Sequence, residues 1–137
     1  MPKVGIVVDA SCTGGNPGNV ECRGIDIATG EIVFSDQIGL ATNNIGEWFA
    51  IAYGAAYIKE NNLNVPLYSD SKICINWYHK KVCKTNIFRD YPHIASKNLK
   101  LASLLIEAEE IVKSCDVEII FWNKWIYGEN IADYGRK

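Results

Sequence analysis

The sequence lacks the features that staple a small domain together. Its five cysteines (Cys12, Cys22, Cys74, Cys83 and Cys115) are odd in number and include no C-x-x-C pair. That argues against a disulfide framework or a zinc site and favours the reduced thiols of a cytoplasmic protein. Histidine is scarce, with only His79 and His93. No apolar run approaches the roughly 20 residues that span a bilayer, so no membrane association is expected. The N-terminus has no basic segment followed by an apolar stretch, the pattern of a secretory leader. Nor is there an excess of positive charge. The formal net charge is −2, which argues against a protein that coats nucleic acid by charge alone. Internal repeats, low-complexity stretches and linkers are also missing.

What remains is an ordinary globular composition, 48% hydrophobic and 22% charged over 137 residues. That length fits one domain, residues 1–137, and can bury a core without disulfides or a structural metal. The charge is unevenly spread. Lys72, Lys80, Lys81, Lys84, Arg89, Lys97 and Lys100 face a single acid, Asp90, across residues 72–100. This segment carries +6 and leaves −8 for the rest. A basic patch beside an acidic remainder suits a phosphate backbone lying near a metal site, and equally suits a merely solvated face.

Three strands are expected first, over Val4–Val8, Val20–Ile27 and Glu31–Leu40, with Thr29-Gly30 turning between the last two. A helix capped by Asn43 or Asn44 should follow. Ile45, Trp48, Ala52 and Ala55 form its apolar face, and it ends near Asn61-Asn62. Val65–Tyr68 reads as a strand, and a helix starts at Ser71. Lys80–Tyr91 reads as loop or broken helix, and a long helix covers about Ser96–Lys113. Val117–Phe121 is the last strand, and Gly128–Lys137 has room for a short helical turn or two. This order predicts an α/β fold with a mixed sheet flanked by helices, three hairpin-linked strands preceding strands reached through crossovers.

Three acids fall where elements meet loops. Asp9 lies at the end of the first strand, Glu47 in the first turn of the first helix, and Asp70 directly after the fourth strand. If strands one and four are parallel neighbours, Asp9 and Asp70 end side by side. Two such carboxylates repel unless protonated or bridged by a hard cation such as Mg²⁺ or Mn²⁺. Taken singly, Glu47 could serve the helix dipole and Asp70 could be an N-cap. Asp9, on an otherwise apolar strand, is costly unless paired or ligated.

Four segments together carry a resemblance. They are Val7-Val8-Asp9-Ala10-Ser11 with Gly15-Asn16-Pro17-Gly18, Thr42-Asn43-Asn44-Ile45-Gly46-Glu47, Tyr68-Ser69-Asp70-Ser71, and Gly128-Glu129-Asn130-Ile131-Ala132-Asp133. In this order and spacing the chain resembles the type 1 ribonuclease H family over nearly its full length. The resemblance implies a ribonuclease H-like fold with a five-stranded mixed sheet. It also implies an endonuclease that hydrolyses the RNA strand of an RNA/DNA hybrid, with no obligate protein partner. Asp9, Glu47, Asp70 and Asp133 would be catalytic and would hold two Mg²⁺ or Mn²⁺ ions per active site. Asn16, Asn43, Asn44 and Ser71 would contact the hybrid, together with the basic, aromatic stretch from Trp77 to Lys80 and Lys81.

The chain departs from the family pattern in four places. Ala10 stands where the family has Gly, and Glu129-Asn130 inverts an Asn-Glu order. The link from Trp122 to Asp133 is short and lacks the family's loop histidine. The sequence stops four residues after Asp133, with Ile131 and Tyr134 as the main apolar groups to dock it. These departures leave a second reading open, a catalytically weak or inactive nucleic-acid-binding module of the same fold.

Overall fold

The computed structural model describes residues 1–135. Arg136 and Lys137, part of the expected terminal turn, lie outside the described residues. Strands β1 (Ile6–Thr13), β2 (Gly18–Asp26) and β3 (Ile32–Ala41) lead into helix α1 (Asn43–Glu60). After β4 (Leu67–Ser69) come α2 (Lys72–Lys80), α3 (Ile87–Asp90), α4 (His93–Lys97) and α5 (Leu101–Ser114). Strand β5 (Ile119–Phe121) and α6 (Lys124–Tyr127) complete the order. One five-stranded sheet runs β3-β2-β1-β4-β5. Its β1–β2 and β2–β3 pairs are antiparallel, and β1–β4 and β4–β5 are parallel. The expected mixed sheet is therefore present.

Strand β1 starts later and runs further than expected. It pairs with β4 only through Ile6↔Leu67 and Val7↔Tyr68 but stays paired with β2 out to Thr13. Asp9 therefore does not end the strand. It sits where the two neighbours part, still tied to Arg23 of β2. Continued for two residues, the β1–β4 register would bring Asp9 level with Asp70.

Helix α1 is capped by Thr42, whose Oγ1 accepts from the Ile45 amide at 3.4 Å, and not by Asn43 or Asn44. This start places Glu47 in the second turn. The helix is also buried nearly all round, with Gly46, Glu47, Phe49, Ala50, Ile51 and Gly54 joining the expected face. It lies between the sheet and α2 and α5. An expectation of one apolar face fails because a helix covered on several sides needs no polar stripe there.

Two glycines let α1 approach closely. A Cβ on Gly46 would stand 2.7 Å from Val20 Cγ1 and 2.9 Å from the Ala10 Cβ. One on Gly54 would stand 2.7 Å from Leu67 Cδ1 and 2.9 Å from Val8 Cγ1.

The long helix expected over Ser96–Lys113 is broken into α4 and α5. Asn98 is the reason. It is buried, and its Nδ2 donates to the carbonyls of Ile38 and Leu40, each at 3.0 Å. Those acceptors flank Gly39 (φ 92°), beside an irregularity in the β2–β3 register. Leaving the helix at Asn98 lets its amide donate to two carbonyls of the edge strand β3.

The large core lies on the α1 side and includes Ile6, Val8, Trp48, Phe49, Leu67, Leu101 and Val112. A second, smaller cluster joins Val7, Ile25, Ile27, Tyr68, Trp122 and Ala132. The rings of Tyr68, Trp122 and Tyr127 meet edge-on in this cluster, with centroids 5.2–6.1 Å apart. The segment after β5 thus turns helical at 124–127, and among the described residues beyond Gly128 it packs as irregular chain without the expected helical turn. Among the described residues no helix is long and apolar enough to cross a membrane.

Candidate active site

The three acids from β1, α1 and the end of β4 converge. One carboxylate oxygen from each of Asp9, Glu47 and Asp70 lies within 4.8 Å of the other two. They line a cleft of about 360 Å³ that also includes Ser11, Asn43, Asn44, Ser71, Asp133 and Tyr134. Asp133 shares the cleft but lies outside the tight group of three.

Glu47 is only 4% exposed. Its Oε1 accepts from the Ala10 amide at 2.9 Å, which fixes it against β1. The contact needs α1 pressed onto the strand, which Gly46 permits. Oε2 is buried without a hydrogen-bond partner. Burial is the largest influence on both inner acids. It lifts Asp9 from an ordinary 3.8 to about 6, aided by the charges of Asp70 and Asp133 and opposed by the adjoining Glu47 carboxyl and Ala10 backbone. Glu47 is pushed well above the usual carboxylate range, by burial first and then by Asp9 and Asp70. Two such groups coexist only by sharing a proton or a cation.

The donor set fits a hard divalent cation. It consists of carboxylate oxygens at mutual ligating distance, one of them orphaned in the interior. The acidic group could therefore hold a metal ion.

Asp133 is positioned mainly through its neighbours' backbone. Arg23, the β2 residue opposite Asp9, donates from Nε to the Ala132 carbonyl at 2.8 Å and from Nη2 to the Asp133 carbonyl at 2.7 Å. Its guanidinium lies 4.4 Å from the centre of the Tyr134 ring. Asn130 is buried, donates from Nδ2 to the Val8 carbonyl at 3.1 Å and accepts from the Ala132 amide at 2.8 Å. The tail is thus docked by Arg23, Asn130 and the fully buried Ala132 as much as by Ile131 and Tyr134. Sequence reasoning misses Arg23 because one arginine on a strand carries no local pattern. Asn130 stands in the quoted motif, but only the fold reveals its reach across 122 residues to Val8.

The remaining candidates divide. Asn43, Asn44 and Ser71 line the cleft. Ser71 also caps α2, accepting from the Cys74 amide at 3.2 Å. Asn16 lies beyond it, where its Oδ1 accepts from the Asn43 amide at 3.0 Å. It lines an adjoining groove with Asn44, Trp77 and Lys84. Trp77 is only 8% exposed and packs edge-on against Trp48 at 6.2 Å, so most of its ring serves the core. Lys80 is exposed on α2. Lys81 is turned elsewhere, with its Nζ donating to the Cys115 carbonyl at 2.8 Å and lying 4.3 Å from the Tyr78 ring centre. Its ammonium joins α2 to the chain before β5 and is committed to structure. His79 and His93 are both exposed and neither lines the cleft.

No protein-family model matches the sequence. Solved structures do match. Ribonuclease H1 from the halophilic archaeon Halobacterium salinarum NRC-1 aligns with a TM-score of 0.58 at 22% identity, covering 94% of this chain and 91% of that one. The solution structure of the PFV RNase H domain aligns at 0.52 and 17% identity, covering 95% and 88%. The foamy viral protease-reverse transcriptase in complex with an RNA/DNA hybrid aligns at 0.52 and 18%, covering 97% of this chain and 20% of that chain. The chain has the ribonuclease H fold.

Proposed function

We propose that this protein is a metal-dependent endoribonuclease that hydrolyses the RNA strand of RNA/DNA hybrids. The observation that carries the reading is the convergence of Asp9, Glu47 and Asp70, with Asp133 on the same cleft wall, on a ribonuclease H fold. Asp9, Glu47, Asp70 and Asp133 would hold two Mg²⁺ or Mn²⁺ ions. Such a pair supplies an activated water at neutral pH and offsets charge on the attacking and leaving oxygens.

The chain's own residues do the rest. Ala10 and Gly46 hold Glu47 in one orientation, so its second oxygen needs no rearrangement to serve as a ligand. Asn43, Asn44 and Ser71 present groups that both donate and accept, as recognition of a 2′-hydroxyl requires. Asn16 braces the Asn43 amide and keeps its own NH₂ for the substrate. Lys84 lines the adjoining groove, Lys80 is exposed on α2, and both would pair with phosphates. The foamy viral protease-reverse transcriptase, which shares this fold, is known in complex with an RNA/DNA hybrid and with dsDNA, which agrees with a nucleic-acid duplex as ligand.

One observation favours a second reading. Among the described residues no histidine lines the cleft, so departure of the leaving group would rest on solvent. A slow or inactive nucleic-acid-binding module fits that feature. The test is incubation of a labelled hybrid with Mg²⁺ or Mn²⁺ beside duplex DNA and duplex RNA. Metal-dependent loss of the RNA strand of the hybrid alone is expected. Binding of the hybrid without cleavage would leave the binding module in its place.

A further inference from the structure

A second groove, of about 360 Å³, opens on the other side of Asp70 from the carboxylate cleft. Its walls include Lys72, Phe121, Lys124, Trp125 and Glu129. Trp125 is 88% exposed and its neighbour Ile126 is 71% exposed, while the other three tryptophans are buried. The indole is carried on α6, whose start is fixed by Asn123 Oδ1 accepting from the Trp125 amide at 3.0 Å. Lys124 Nζ lies 5.3 Å from the centre of that ring, and Lys72 Nζ lies 4.8 Å from the Phe121 ring. An exposed flat ring with one ammonium beside it and a second lysine in the same groove is what an unpaired base with its phosphate requires.

Charge points the same way. Among the described residues the cleft gathers four carboxylates without a lysine. In the groove, Lys72 and Lys124 balance Asp70 and Glu129. A phosphate backbone leaving the cleft past Asp70 therefore meets its first cations here. Bases within a duplex are already stacked, so the indole gains only from a base that has none above it.

We propose that this groove is a subsite for an unpaired nucleotide continuing from the paired segment in the cleft, with Trp125 as its stacking platform. The proposal rests on the nuclease reading above for the identity of the paired segment. It makes the enzyme prefer hybrids that open, or carry a single-stranded extension, close to the scissile phosphate.

The test compares a blunt hybrid with the same hybrid carrying a short single-stranded extension at each terminus in turn. Affinities are measured by fluorescence anisotropy with a chelator present, on the full chain. At least one extension should tighten binding by roughly fivefold or more, since stacking of a single base has that order of effect. Within Trp125→Ala the ratio of blunt to extended Kd should fall to about one, and within Trp125→Phe most of it should return. The same extension should shield the exposed indole from acrylamide quenching.

A ratio of one in the unaltered protein, or a gain that survives Trp125→Ala, would overturn the subsite. So would concentration-dependent self-association abolished by Trp125→Ala, which would assign the ring to protein contact. Cleavage of the blunt hybrid is assayed separately with Mg²⁺. A Trp125-dependent gain without any cleavage removes the nuclease reading alone, and cleavage without a gain removes the subsite alone.

Discussion

The carboxylate pair Asp9 and Glu47 and the carboxylate Asp133 occupy one cleft but are held in different ways. Asp9 and Glu47 belong to the two elements that anchor the large core, and Glu47 is locked by a strand amide. Asp133 belongs to irregular chain laid over the smaller cluster and held by Arg23 and Asn130. The Asp9–Glu47 half of this comparison is built into the core, and Asp133 is latched onto it. Perturbing the first should act through ligand charge or core packing, and perturbing the supports of the second through placement.

The largest effect expected is from Asp9→Asn or Asp70→Asn. Each keeps side-chain volume but removes a ligand charge, and cleavage should fall on the order of 10³-fold or more, as for loss of a central catalytic group. Circular dichroism should be unchanged. Near-normal turnover by either folded variant would end the metal-site reading.

On the latched side the effect should be smaller. Arg23→Ala frees the carbonyls of Ala132 and Asp133, and a supporting residue of this kind is worth roughly 10–100-fold. Asp133→Asn should fall in a similar range. The double variant should be little worse than either single one, because Arg23→Ala misplaces the same carboxylate whose charge Asp133→Asn removes. Additive losses would mean that Arg23 serves something other than Asp133.

Gly46→Ala tests the built-in half without touching a carboxylate. Its new Cβ would crowd Val20 and Ala10, costing about 1–3 kcal/mol of stability. It should also loosen the bond from Ala10 to Glu47, so that metal affinity falls with stability. A denaturant midpoint and a Mn²⁺ titration on the same variant separate the two.

Acidity offers a subtler contrast. The folded-state pKa of Asp9 is raised from 3.8 to about 6, so the folded protein holds this proton more tightly than the unfolded chain. The resulting stability is full below about pH 4 and is lost as pH rises through 6. Glu47 shifts in the same direction and extends the loss upward. Melting temperature in chelator should therefore drop by several degrees between about pH 4.5 and 7.5, and divalent cations should restore it increasingly toward the higher pH. Asp9→Asn should flatten the profile. An identical slope in that variant would place the titration elsewhere.

The smallest effect concerns the basic segment. Lys80→Ala with Lys84→Ala should reduce the salt slope of hybrid binding, by about 0.9 for each phosphate left without its lysine, and should raise KM more than it lowers kcat. Lys81→Ala should leave that slope alone and lower stability instead, because its ammonium serves the Cys115 carbonyl.

Much of this architecture was legible in the chain. A short apolar run and turn residues marked the opening strands, and Asp9 stood out because a carboxylate in an apolar strand needs a partner. Local pattern could also place Ser71 at a helix start, since capping is a local interaction. It could not show that α1 is covered on several sides, that Asn98 interrupts a helix to serve β3, or that Lys81 turns away from the groove. Each of those depends on a group dozens of residues distant.

The sequence by itself determined the order of the strands and the main helices and singled out Asp9, Glu47 and Asp70, because periodicity and turn chemistry act over a few residues. Only the tertiary structure decided how those acids stand to one another. Bringing Asp9, Glu47 and Asp70 within 4.8 Å requires the β1–β4 register and the close approach of α1 at Gly46. Holding Asp133 beside them requires Arg23 to reach across 110 residues of chain. Such distances close only when the whole fold is in place, because core packing must override the mutual repulsion of the carboxylates.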